Sequence, residues 1–160
     1  MIQPGNLYYK IKAAAEKHGI DPTIVYGVVQ QESTGNSIAC RFEKNYKWLY
    51  KPGSVKPRSC SLDTEVASQK MSWGLMQVMG AVYRELGYKD WLSKVLTLPE
   101  LQLDYGCKFL KKKIDKYGLH EGILCYNSGS PLFNDDGSYK NQYYLDKVLH
   151  YSKGFYQLKT

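Results

Sequence analysis

The sequence predicts a mainly α-helical (all-α class) fold interrupted by one long irregular insertion. Apolar residues recur at helical spacing along most of the chain, helix start and stop signals bracket those runs, and residues 36–66 alone lack a helical period. Asn6 is placed to cap a first helix that runs to about His18, with Gly19 as its stop. Asp21-Pro22 reads as an N-cap followed by proline at the first helical position, and Ile24, Val25, Val28 and Val29 form an apolar stripe behind it. Leu75, Val78, Met79, Val82 and Leu86 predict a helix over residues 73–86, stopped by Gly87. Thr97 and Pro99 open a long helix with Leu103, Cys107, Leu110, Ile114 and Tyr117 on one face, ended by Gly118. A short helix over residues 119–126 follows, then turns at Ser128-Gly129-Ser130-Pro131 and Asn134-Asp135-Asp136-Gly137, and a last helix over residues 142–155.

The 160 residues suit a single domain, 1–160, with residues 36–66 inserted within it. A chain of ~150 residues buries roughly 68–70% of its unfolded surface, so a core can form without staples. At 43% hydrophobic the chain is too apolar to be disordered. No apolar run approaches the ~18 residues of a membrane span, so no membrane insertion is expected. His18, His120 and His150 lie far apart, and Cys40, Cys60, Cys107 and Cys125 form no CxxC pair, so no metal site is expected; no organic cofactor is expected either.

The insertion holds Pro52-Gly53, Pro57 and six cations between Arg41 and Arg58. Tyr46, Trp48 and Tyr50 alternate, which fits a short strand or a small hairpin. Cys40 and Cys60 bracket most of the segment; a disulfide would close it, and two separately packed thiols are the alternative. Cys107 and Cys125 stand where they could meet across the Gly118 turn, as buried thiols or as a bridge.

Glu32 lies four residues after Val28 and eight after Ile24, so the spacing puts a carboxylate on the apolar face of its helix, near the C-terminal end. Burial and the helix dipole both push such a group toward its protonated form, which is what a general acid requires. A glutamate reaching solvent from the last turn, or paired with a buried cation, is the plainer alternative.

Four motifs bear on that choice. Glu32-Ser33 opens an ES-x-x-N pattern in QQESTGNS, Gly74-Leu75-Met76-Gln77 reads GLMQ, Tyr126-Asn127-Ser128-Gly129 reads YN-x-G, and Tyr144-Leu145-Asp146-Lys147-Val148 reads Y-x-x-x-V. In this order, over residues 20–150, they resemble the lysozyme-like lytic transglycosylases of the SLT type and, more distantly, the goose-type lysozymes.

The resemblance implies a lysozyme-like domain that binds the glycan strands of peptidoglycan and cleaves between N-acetylmuramic acid and N-acetylglucosamine. It implies Glu32 as acid and then base, with the muramoyl C6 hydroxyl as nucleophile and a 1,6-anhydro end as product. It carries substrate-binding roles to Ser33, Met76, Gln77, Tyr126, Asn127 and Tyr144. By position, Ser33 orients Glu32 or the sugar, or simply bonds to backbone. Met76 and Gln77 lie off their helix's apolar stripe and so face the cleft, with a core role as the alternative for Met76. Tyr126 matches a tyrosine whose hydroxyl lies near the acid, Asn127 shapes a loop, and Tyr144 matches a cleft-wall tyrosine.

Most hydrolysing glycosidases need two carboxylates. The positions of the goose-type helping aspartates are here Ser68 and Met79, neither of which can act as a base. Asp63 and Glu65 are the nearest upstream acids, so a muramidase using Glu32 with one of them is the second reading. A wall-binding or structural relative without turnover is the third. The sequence departs from the family in the 42-residue separation of Glu32 and Gly74, usually about half as long, in Gly80 where many members have proline, and in Cys125 where most have alanine.

The net charge of +7 suits a wall whose peptides and teichoic acids are anionic. Nucleic acid is the other polyanion, but the motifs favour glycan strands, so no nucleic-acid partner and a monomeric protein are expected. The start, MIQPGNLYYKIK, lacks the basic and apolar regions of a signal peptide. A wall-acting protein of this form is then expected to be a phage lysin, virion-associated or exported by another route.

Overall fold

The computed structural model describes residues 4–159, with helix over 61% of the chain and strand over 6%, as the helical spacing predicts. Helix α1 spans Pro4–His18 and α2 Pro22–Ser33. The Asp21 side chain accepts from the Thr23 amide at 2.8 Å, which starts α2 as the Asp-Pro pair predicts. Ile24, Val25, Val28 and Val29 are all buried. Helix α8, Gln142–Ser152, crosses α2 at Gly27, where an added Cβ would lie 2.3 Å from the Val148 carbonyl oxygen. Only glycine permits that approach, and it brings the N-terminal turn of α8 to the C-terminal turn of α2.

Helices α6, Pro99–Tyr117, and α7, Leu119–Ser128, pack as an antiparallel pair around the Gly118 turn, whose φ is 82°. Their inner faces, with Leu103, Cys107, Leu110, Ile123 and Leu124, complete the core against α1 and α2. The structure starts α1 two residues before Asn6, so Asn6 is not its cap. It extends α7 to Ser128, and it ends α8 at Ser152, with a separate 3₁₀ turn over Phe155–Lys159.

The larger correction is at residues 73–86, which are not one helix. Strands β1 (Cys40–Phe42), β2 (Met71–Trp73) and β3 (Val78–Met79) form an antiparallel sheet in the order β1-β2-β3, and helix α5 occupies only Gly80–Glu85. The GLMQ residues are the tight turn between β2 and β3. Gly74 (φ 72°) and Gln77 (φ 46°) both sit in the left-handed region, which breaks helical propagation. Of the stripe residues, Leu75 and Val78 are buried and Met79, Val82 and Leu86 partly so, and the apolar density reflects a buried turn between strands followed by a short helix.

The insertion is also more regular than expected. It contributes β1 and two helices, α3 (Pro52–Val55) and α4 (Leu62–Gln69), with Ser61 capping α4 at the Thr64 amide. Tyr46, Trp48 and Tyr50 lie in irregular backbone rather than in a strand. All four cysteines are free thiols; Cys40 is exposed on β1, while Cys60, Cys107 and Cys125 are buried. Burial pushes the Cys107 thiol up to about 12.

Candidate active site

The sheet alternates its faces. Arg41 pairs with Ser72 and Ser72 with Met79, and all three face one open cleft; Trp73 and Val78, in the next register, are buried in the core, with Val78 also at the cleft floor. The cleft has a volume of about 1050 Å³. The sheet face and the insertion, with Glu43, Lys44, Tyr46 and Trp48, form one wall. The C-terminal half of α6 and the end of α7, with Phe109, Lys113, Tyr126 and Asn127, form another. Glu32 opens into it from the last turn of α2.

Glu32 is half-buried, and its Oε1 accepts a 2.6 Å hydrogen bond from the Tyr144 hydroxyl. Burial raises its carboxyl above the ordinary carboxylate range, and this outweighs the opposing pull of the Tyr144 bond and the Arg41 charge. A carboxyl that is protonated at higher pH than usual, in a cleft, can deliver a proton to a bound oxygen.

Of the two tyrosines, Tyr126 lies close enough to Glu32 to feel its charge, as expected, whereas Tyr144 departs from the expectation. Tyr144 rises from the first turn of α8 directly onto Glu32 and is buried rather than part of the cleft wall. Tyr126 lines the cleft, but its hydroxyl donates to the Met76 carbonyl at 2.7 Å. Both phenols are held strongly protonated by burial and by the nearby Glu32 charge, so each serves as a donor.

The GLMQ turn is held by side chains from elsewhere, by its own Gln77 and by the Gly74 amide, which donates to the Ala39 carbonyl at 2.7 Å. Ser33 Oγ donates to the Leu75 carbonyl at 2.8 Å and, more weakly, to Val29 of its own helix, so it bonds to backbone and clamps the end of α2 to the turn. Gln102, fully buried on α6, accepts from the Leu75 amide at 2.8 Å and donates to the carbonyls of Ser37 and Val95. Gln77 lines the cleft, yet its amide donates to Ala39 and Gly74 carbonyls and accepts from Ser72 Oγ at 2.7 Å. Its polar atoms fasten the turn to the insertion. Met76 does not face the cleft; its side chain is fully buried, against Gly106 of α6. Asn127 is exposed in the cleft wall and accepts from Asn141 Nδ2 at 3.2 Å, tying the α7 end to the start of α8.

The candidate second carboxylates also move. Glu65 is buried in a bidentate pair with Arg84, at 2.7 and 2.8 Å, and accepts from Gln69 as well. Burial alone would raise its carboxyl; those donors outweigh burial and hold it below the usual range. Asp63 lies in the first turn of α4, exposed and outside the cleft lining. Two acids that the sequence did not single out do line the cleft: Glu43, bonded by Arg41, and Glu85, bonded by Lys112 at 2.7 Å. Arg41 was visible only as one cation in a basic run, because a three-residue strand is too short for its alternation to register. Gln102 carried no sequence signal beyond an amide on an apolar helix face.

Among the described residues, no group of three or more His, Cys, Asp or Glu side chains could hold a metal ion. No described helix is long and apolar enough to cross a membrane. A family model described as "Transglycosylase SLT domain" matches residues 10–147. No solved structure matches the chain.

Proposed function

The chain belongs to the transglycosylase SLT domain family, which acts on the peptidoglycan of the cell wall, and from that premise we propose that it cleaves the glycan strand with Glu32 as its single acid and base. The observation that carries the reading is the pairing state of the carboxylates. Glu43 and Glu85 are each engaged by a cation, Glu65 is buried against Arg84, and Glu32 alone combines burial, a raised proton affinity and an opening into the cleft.

In the proposed sequence, the protonated Glu32 gives its proton to the oxygen between N-acetylmuramic acid and N-acetylglucosamine. The C1–O bond breaks, and the N-acetylglucosamine hydroxyl leaves. The N-acetyl group assists by closing an oxazolinium on C1. Glu32, now a carboxylate, takes the proton of the muramoyl C6 hydroxyl as that oxygen attacks C1. A 1,6-anhydro ring forms, no water is consumed, and Glu32 regains its proton. The Tyr144 hydroxyl and the Arg41 charge stabilise the carboxylate between the two transfers. One acid suffices because the sugar supplies the nucleophile, whereas hydrolysis places a second carboxylate across the bond. Ser33, Gln102 and Gln77 serve as positioning residues for the turn that faces Glu32. Asn127 and Tyr126 shape the opposite wall.

Mass spectrometry of muropeptides released from purified peptidoglycan tests this. Anhydro-muramoyl ends are expected; reducing ends, heavier by one water, would overturn it in favour of a muramidase and turn attention to Glu43 and Glu85.

A further inference from the structure

The family motifs account for Glu32, the GLMQ turn and the α7 wall, but not for the strip between β1 and α3. Lys44, Tyr46 and Trp48 all line the cleft from this strip, without helix or strand to direct them. The strip is nevertheless pinned at both ends. The Glu43 amide extends the sheet to the Lys70 carbonyl at 2.9 Å, and Gln69 grips Tyr50 through both its amide and its carbonyl, at 2.7 and 3.0 Å. Trp48 is 75% exposed and stands edge-on to Tyr46, with ring centroids 5.5 Å apart. An indole that the fold leaves so open is not there for the core.

The charges point further. Arg41 is already paired with Glu43, and Lys113 donates to the Gly129 carbonyl and lies over the Phe109 ring. Lys44, exposed in the cleft wall, has no ion-pair or hydrogen-bond partner among the described residues. Sugar rings are neutral, so a free cation in a glycan cleft meets its complement in anionic groups that hang from the strand, of which the stem carboxylates are carried on the muramoyl sugars themselves.

Resting on the function proposed above, we infer that Lys44, Tyr46 and Trp48 form a subsite for the acidic peptide stem of the glycan strand. Lys44 pairs with a stem carboxylate, and the two aromatics supply the apolar surface on which the stem-bearing sugar rests. The carboxylate could come instead from the muramoyl lactyl group, which is free only where the stem has been removed.

The test is binding, measured in the Glu32→Gln protein so that turnover does not enter. Three soluble strands are compared by calorimetry: one with intact stems, one whose stem carboxylates are amidated, and one with stems removed. The intact strand is expected to bind about two- to fivefold tighter than the amidated one, the span of a single exposed ion pair. The preference should shrink in high salt, vanish in Lys44→Gln and persist in Lys44→Arg. Trp48→Ala should weaken all three strands alike. Equal binding of intact and amidated strands, a preference that survives Lys44→Gln, or no binding of any strand would overturn the subsite. Tightest binding of the stem-free strand would overturn it in favour of the lactyl carboxylate. Failure of the single-acid reading would appear separately, in the products of the wild-type protein.

Discussion

The Tyr144 hydroxyl donates a 2.6 Å hydrogen bond to Oε1 of Glu32, joining two residues 112 positions apart. The bond exists because Gly27 lets α8 lie against α2 at backbone distance, which carries the first turn of one helix to the last turn of the other. It favours the carboxylate, against the burial that favours the acid. In Tyr144→Phe, Glu32 should therefore hold its proton to higher pH, and the high-pH limb of the rate profile should move upward. The maximal rate should fall by about tenfold, the scale of one hydrogen bond to a charged group of about 1.5 kcal/mol. A pH–rate profile on solubilised peptidoglycan reads both effects, and an unmoved limb would detach Tyr144 from the acid. Arg41→Ala should shift the limb in the same direction, since its charge also favours the carboxylate.

Glu32→Gln should lower turnover by at least about 10²–10⁴-fold, the usual contribution of a positioned proton donor. It should also make the protein more stable at neutral pH. The raised proton affinity of Glu32 means that the folded state holds a proton the unfolded chain has lost. The stability linked to it is full below the ordinary glutamate value of about 4.3 and is lost as pH rises through the folded value. Glutamine does not undergo that loss. Thermal melts should show Glu32→Gln above the wild type at pH 7 and level with it at pH 4.

Gly74→Ala should damage both fold and activity. The residue sits at φ 72°, and an added Cβ would lie 2.3 Å from Gln102 Cδ. Gln102 would have to move, releasing the Leu75 amide and the Ser37 and Val95 carbonyls in a buried place. Each unsatisfied buried group costs about 1–3 kcal/mol, so a loss of at least about 3 kcal/mol is expected in urea unfolding. Gln102→Leu, which empties the same three bonds without the backbone strain, should lose stability and activity together.

The sequence exposed the parts of the fold that rest on local rules. Asp21-Pro22 starts α2, Gly118 separates α6 from α7, and the position of Glu32 on the face of Val28 follows from helical spacing. It misread residues 73–86, because a buried tight turn between two short strands presents the same apolar density as a helix, and the left-handed conformations at Gly74 and Gln77 are what distinguish them. It placed Tyr144 on the cleft wall and not on Glu32, since whether that phenol reaches the carboxyl depends on how α8 crosses α2. The partners of Ser33, Gln77 and Gln102 are backbone carbonyls and amides, which leave no mark in composition or spacing. Glu65 looked like a candidate base until its partner Arg84, 19 residues away, was placed beside it.

That buried pair carries the last prediction, because it supports the cleft at a distance. Arg84 joins α5 to Glu65 of α4 and also donates to the carbonyls of Tyr88 and Asp90. Gln69, on the next turn of α4, bonds Glu65 on one side and grips Tyr50 on the other, so the insertion wall is fastened through this pair. Removing one partner leaves a buried charge uncompensated, at a cost of about 3–5 kcal/mol. Glu65→Ala should accordingly lower the melting temperature sharply at pH 7. The pH dependence has a definite sign. The Glu65 carboxyl is held below its unfolded value, so its contribution is complete above that value and is lost as pH falls through the folded one. The gap between wild type and Glu65→Ala should narrow progressively in melts taken from pH 7 toward pH 3, while Glu32→Gln shows its advantage at the other end of the range. A gap that stayed constant with pH would mean that packing, and not the Arg84 charge, holds α4 and the insertion in place.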